Sequence, residues 1–201
     1  MSEVSLGYRF SDGSAEQPVL LLLHGTGGDP DDLLPLGREI APGSAVLAPA
    51  GPVSEQGMAR WFRRLGEGVF DHEDVVRRAD QLAEFILAAK EKHGLAERRL
   101  VAVGFSNGAN IAAAVALLRP DALTEAIAFA AMLPVPEPPE HDLTGTRLLL
   151  SNGQRDPMAP LDSTDRLVSL LRNRNADVTT HRHGGGHEIT ADGVAAAKEW
   201  L

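Results

Sequence analysis

Ser106, Asp156 and His187 are the residues of this chain whose types and spacing suit nucleophilic chemistry. Ser106 lies in "LVAVGFSNGAN" (100–110), where an apolar run meets Gly104-Phe105-Ser106-Asn107-Gly108 and an alanine-rich stretch follows at once. A strand-to-helix turn of this kind is sharp, and small residues on both sides of the serine relieve the crowding. Glycine and serine also make ordinary turns, so the pattern carries weight only if it has partners. An alcohol is a poor nucleophile at neutral pH and needs a base, which in turn needs an orienting acid. The chain order that accompanies such a turn is serine, acid, histidine. Downstream, "SNGQRDPMAP" (151–160) places Asp156 in a loop after one strand-like run, and "GGGHEIT" (184–190) places His187 in a loop after another. Each partner follows its own strand in the required order, which favours a Ser-His-Asp triad over a plain turn.

The oxyanion of a tetrahedral intermediate needs N–H donors, one from the residue after the nucleophile and one from the loop after an earlier strand. Asn107 supplies the first. The second is expected from "LLHGTGGD" (22–29), through the main-chain N–H of Thr26, because the flanking glycines let backbone approach a ligand closely. His24 lies in the wrong loop for the base and reads as a structural histidine. The same string lacks the Gly-Lys-Ser/Thr ending of a phosphate-binding loop. Other candidates have plainer explanations. His181 and His183 alternate as neighbours on one face of an exposed edge strand, and Asp162 and Asp165 suit a helix start. Asp121, His72, His93 and His141 sit in surface-type contexts.

The elements that must hold these groups alternate between two periods. Strands are expected at 4–10, 19–25, 45–51, 99–105, 125–131, 147–153 and 177–183, several of them continuous apolar runs that suit burial on both faces of a parallel sheet. Val75, Val76, Ala79, Leu82, Ala83, Ile86 and Leu87 mark one helical stripe, closed by Gly94. Asp29-Pro30 reads as the cap and first turn of a short helix. Further helices are expected at 107–118, around Leu167, Leu170 and Leu171, and at 191–201. "PVPEPPEHD" (134–142) is too rich in proline for a helix or central strand. The alternation implies one α/β domain over 1–201, an open, mostly parallel sheet with helices on both faces and functional residues at the carboxyl ends of its strands.

Composition narrows the chemistry. A net charge of −9 argues against nucleic acid as a partner, and the absence of cysteine excludes disulfides, thiolate nucleophiles and zinc-thiolate sites. No leader and no membrane-length apolar run is apparent, so a cytoplasmic protein is expected.

With "LLHGTGGD", "GFSNGAN", "GQRDPMAP" and "GGGHEI" in place, the chain resembles the α/β-hydrolases, in particular the phospholipase/carboxylesterase branch that includes the acyl-protein thioesterases. "GMARWFRR" (57–64) and "GVFDHEDV" (68–75) are similar to small bacterial carboxylesterases associated with hydroquinone handling. The resemblance spans nearly the whole chain. It departs from the family pattern at Ala159, where valine or isoleucine is usual before Pro160, and in the triple glycine before His187. It implies the α/β-hydrolase fold with a minimal cap, a carboxylic ester hydrolase with Ser106, Asp156 and His187 as its triad, a small-molecule ester as its partner, and no metal or cofactor. A thioesterase, a hydrolase of cyclic esters or ring-fission products, and a binding protein that keeps the fold without catalysis are the alternatives. The oligomeric state, with a homodimer among the options, stays open. For the pocket, Trp61, an aromatic flanked by arginines in a loop, is expected as a wall. Met132 and the proline segment after it are expected as the opposite rim of an open, shallow site.

Overall fold

The computed structural model describes residues 6–201. Its core is a seven-stranded sheet of β1 (Tyr8–Ser11), β2 (Val19–Leu23), β3 (Ala45–Pro49), β8 (Leu100–Phe105), β9 (Glu125–Phe129), β10 (Arg147–Gly153) and β11 (Asp177–His183). The strand order is β1-β3-β2-β8-β9-β10-β11. Every pairing is parallel except β1 with β3, which is antiparallel. Strands 4 and 5 and strands 6 and 7 belong to two separate hairpins described below. The expected strand at 4–10 is seen from residue 8 onward, and its residues 4 and 5 lie outside the described range.

The apolar runs are continuous because each strand feeds two cores. Val19, Leu21 and Leu23 of β2 pack into one cluster and Leu20 and Leu22 into another. Leu100 and Ala102 of β8 are likewise separated from Val101 and Val103, the two-residue period of a pleated strand buried on both faces. On the first face lie α2 (His72–Lys92), α3 (Asn107–Leu118) and α4 (Leu161–Asn173), and on the second lie α1 (Leu34–Ile40) and α5 (Ala191–Trp200). Asp71 caps α2 by accepting from the Asp74 N–H at 3.2 Å, and Gly94 ends it with φ +65°. The buried stripe of α2 is turned around the helix relative to the expected one. Val76 and Leu87 are exposed, whereas Phe85 and Ala89 turn inward beside Ala79, Leu82 and Ile86.

Two expectations need correction. Asp29-Pro30 does not open a helix. Asp29 Oδ1 accepts from the Asp31 N–H at 2.7 Å in a local turn, and α1 begins at Leu34 with Pro35 in its first turn. Residues 53–70, for which no strand was expected, hold short strands on both sides of Trp61, which itself lies between them. They form two short hairpins, β4 (Val53–Glu55) with β5 (Met58–Arg60) and β6 (Arg64–Gly66) with β7 (Val69–Phe70). The segment 134–142 has no regular secondary structure, as its prolines require.

Candidate active site

Ser106 is the residue at which β8 becomes α3. Its backbone has φ +54° and ψ −117°, a conformation that non-glycine residues rarely adopt and that costs on the order of 1–3 kcal/mol. The turn survives because its ends are anchored. The Ser106 N–H donates to Phe129 O and its carbonyl accepts from the Asn110 N–H, both at 2.9 Å. The two glycines of the pattern are sterically required. A Cβ on Gly104 would lie 2.6 Å from Gly108 O and 2.7 Å from the Ala109 nitrogen. A Cβ on Gly108 would lie 2.5 Å from His24 O and closer still to Leu23 O. The glycines therefore let α3 start hard against the end of β2, which presents the serine hydroxyl above the sheet.

Asp156 and His187 come to the same sheet edge from the loops after β10 and β11. His187 Nε2 lies 2.8 Å from Ser106 Oγ and His187 Nδ1 lies 2.7 Å from Asp156 Oδ2. The carboxylate can only accept, so Nδ1 carries the proton and Nε2 is free to accept from the serine hydroxyl. The other oxygen of Asp156 accepts from the N–H groups of Met158 (2.8 Å) and Ala159 (3.0 Å), and no part of the side chain is exposed. The aspartate is thus fixed by its own loop and presents one oxygen to the imidazole.

Thr26 and Asn107 both line the cavity beside Ser106, and their main-chain N–H groups donate to no other group among the described residues. The cavity encloses about 370 Å³. A second hollow of about 330 Å³ meets it at Thr26, Ser106, Met158 and His187. The serine therefore stands between two recesses, a layout able to take the two halves of a small ester. Met132 lines the larger one.

Trp61 is not a cavity wall. It is 1% exposed and turned into the core, where its indole N–H donates to His24 O at 2.8 Å and its main-chain N–H to Asn107 Oδ1 at 2.7 Å. The residues that take its place on the wall are its neighbours Arg60 and Arg64, with Phe70. Sequence reading missed both arginines because the hairpins that aim them were not foreseen; their cluster at 59–64 was the available signal. Arg60 Nη1 donates to Thr26 Oγ1 at 2.8 Å. Burial pushes its guanidinium below the ordinary range, nearby Glu55 works in the opposite sense, and Arg64 adds to the depression. A hydrogen bond from Arg64 holds the Glu55 carboxyl below the usual carboxylate range.

The competing histidines have structural partners. His24 is 2% exposed; its Nδ1 donates to Gly25 O at 2.7 Å, and its Nε2 accepts from the Gly51 N–H at 2.9 Å. His181 bonds Ser151 Oγ at 2.9 Å and lies 3.4 Å from Asp192, but that serine is buried in the sheet. His183 was expected on an exposed edge and is instead 6% exposed, held by the Gly185 N–H at 3.2 Å. Gly185 packs against it, where a Cβ would stand 2.9 Å from His183 Nδ1.

The phospholipase/carboxylesterase family model matches residues 10–201. MhqD of Bacillus subtilis (strain 168), described as a hydrolase, is 42% identical over 182 residues, 90% of this chain and 91% of that protein. The crystal structure of a Bacillus cereus carboxylesterase superposes with a TM-score of 0.94 at 40% identity, covering 98% of this chain and 94% of the other. A carboxylesterase from Mesorhizobium loti gives a TM-score of 0.92 at 30% identity, covering 100% and 96%.

Proposed function

The chain belongs to the phospholipase/carboxylesterase family of α/β-hydrolases, and on that premise we propose that it is a serine-dependent carboxylic ester hydrolase acting on small esters through an acyl-enzyme. The observation that carries this reading is the unbroken relay from Ser106 Oγ to His187 Nε2 at 2.8 Å and from His187 Nδ1 to Asp156 Oδ2 at 2.7 Å.

In this mechanism His187 takes the hydroxyl proton as Ser106 Oγ attacks the ester carbonyl. Asp156 keeps the imidazole in the accepting tautomer and stabilises the imidazolium that forms. The main-chain N–H groups of Thr26 and Asn107 receive the developing oxyanion. His187 then returns the proton to the leaving alkoxide as the ester C–O bond breaks. A water deprotonated by the same imidazole attacks the acyl-serine, releasing the acid and restoring the hydroxyl. None of these steps calls on a metal or cofactor. Met132 borders the substrate. The cavity, about 370 Å³, suits small esters better than long acyl chains, and we place the protein in the cytoplasm. Thioesters and cyclic esters would use the same machinery, and specificity constants on matched oxygen and sulfur esters separate them.

The test is Ser106→Ala assayed on 4-nitrophenyl acetate, with a neutral nitrophenyl phosphonate as active-site label and mass spectrometry to locate the adduct. The expected result is loss of activity by about 10⁴-fold or more at an almost unchanged melting temperature, with the wild-type adduct on Ser106. A phosphonate that leaves Ser106 unmodified, in a protein that turns over no ester, would instead favour a fold kept only for binding.

A further inference from the structure

The cavity beside Ser106 is lined by two guanidinium groups, Arg60 and Arg64, in a chain whose net charge is −9. They share one carboxylate unequally. Arg64 brings two nitrogens to Glu55 Oε1, Nε at 2.8 Å and Nη2 at 2.7 Å, whereas Arg60 Nε stands 3.5 Å from Glu55 Oε2. One positive charge is left over, and it resides mainly on Arg60.

Arg60 is 4% exposed, so water compensates little of that charge. Its hydrogen-bond acceptors are neutral: Phe62 O receives Nε at 3.2 Å and Thr26 Oγ1 receives Nη1 at 2.8 Å. Its third nitrogen, Nη2, has no acceptor among the described residues. A buried guanidinium in that condition ordinarily has a carboxylate or phosphate opposite it.

Asn107 and Asn110 line the same wall, and the amide of Asn110 offers a donor there. Asn107 Oδ1 is taken by the Trp61 N–H, which leaves its Nδ2 buried and unpartnered. Asn110 Oδ1 is taken by the Met132 N–H, so its Nδ2 is likewise the spare group. Because the partner in each case is a main-chain N–H, the amide oxygen must face it. The acid that lines the cavity, Glu67, is exposed at the turn of the β6–β7 hairpin, where water screens it.

Resting on the esterase reading, we propose that the larger cavity is an anion subsite in which Arg60 binds a carboxylate carried by the substrate. The substrates are then monoanionic esters, such as half-esters of dicarboxylic acids or acylated hydroxy acids. A single surplus charge suits a monoanionic carboxylate better than a phosphate dianion.

Two isosteric ester pairs test this. Monoethyl succinate against ethyl levulinate places the anion on the acyl side, and acetoxyacetate against acetoxyacetone places it on the alcohol side. Wild-type enzyme should favour the anionic member of at least one pair by about tenfold or more in kcat/KM. Arg60→Met should bring that ratio to about one, and Arg60→Lys should keep part of it. Free succinate should slow phosphonate labelling of Ser106 in the wild type, a readout that needs no variant to fold. Ratios near one in both pairs, with the neutral esters turned over and Ser106 labelled, would overturn the subsite and leave the esterase intact. A ratio that survives in folded Arg60→Met would overturn the assignment to Arg60. No turnover of any ester, with Ser106 unlabelled, would sink both readings together.

Discussion

The main-chain N–H of Trp61 donates to Asn107 Oδ1 at 2.7 Å, and this bond ties the hairpin segment to the first turn of the helix that carries Ser106. Both partners are buried, so removing the acceptor leaves an N–H with nothing to bond. Asn107→Ala should therefore lower stability by about 1–3 kcal/mol, seen as a lower urea midpoint with an unchanged m-value. The main-chain N–H at 107 survives the substitution, so turnover should fall only as far as the wall of the cavity loosens. A variant as stable as wild type would mean that this bond does not hold the segment in place.

The glycine at 108 makes a harder demand. With His24 O only 2.5 Å from where its Cβ would stand, and Leu23 O nearer, neither backbone segment can yield without moving β2 or α3. Gly108→Ala should destabilise by at least about 3 kcal/mol and sharply reduce folded yield. Gly43→Ala serves as a control of another kind: nothing lies within 4 Å of its would-be Cβ, although φ +82° still imposes local strain. Equal urea midpoints for the two variants would refute the steric account of the elbow.

Much of this site is legible in the linear chain because its logic is local. Ser106, Asp156 and His187 each sit just past a strand, apolar before Ser106 and Asp156 and β-branched but polar before His187, and a parallel sheet brings such positions to one edge whatever the loops do. The hairpins at 53–70 are not legible, since strands of two or three residues have too little period to read. Trp61 shows the consequence. An aromatic beside arginines looks like a pocket wall, and only the hairpin decides that the indole turns inward while Arg60 and Arg64 face the cavity. The late start of α1 has a related cause, because Asp29 satisfies a turn as readily as a helix cap.

Ser106 trades stability for position. Its φ of +54° is tolerable for glycine and strained for serine. Ser106→Gly should abolish ester hydrolysis and raise stability by up to about 1 kcal/mol, once the entropy of a freer unfolded glycine is set against the relieved strain. Thermal unfolding beside Ser106→Ala checks this, because alanine removes the hydroxyl and keeps the strain. If glycine and alanine melt together, the elbow stores no strain.

Acid sensitivity should trace in part to Asp74. Burial alone would raise its pKa, but hydrogen bonds from Arg77 and the Arg63 N–H (2.7 Å), together with the charges of Arg78 and Arg77, hold it below the ordinary carboxylate range. The folded value lies under the unfolded one of about 3.9, so its contribution is complete above that value and is lost as pH falls through the folded value. Urea midpoints at pH 7, 5 and 3 should decline toward acid in the wild type. Asp74→Asn should be about 2 kcal/mol less stable at pH 7 and should lose part of the decline. An undiminished acid slope in the variant would assign the effect to other carboxylates.

Asp156→Asn separates orientation from charge at the proposed triad. The amide oxygen of the variant can still accept from the Met158 and Ala159 N–H groups, so the loop should keep its fold. Its NH2 then faces His187 Nδ1 and forces that nitrogen to accept, which moves the imidazole proton to Nε2, the atom that takes the proton from Ser106 in the proposed mechanism. Turnover should drop by about 10⁴-fold with KM nearly unchanged and the melting temperature within a few degrees of wild type. Asp156→Ala should lose stability as well, because two buried N–H groups lose their acceptor. If Asp156→Asn keeps more than about a tenth of wild-type kcat, the tautomer is not set by this aspartate, and the relay from 156 to 106 is a packing feature rather than the engine of the reaction.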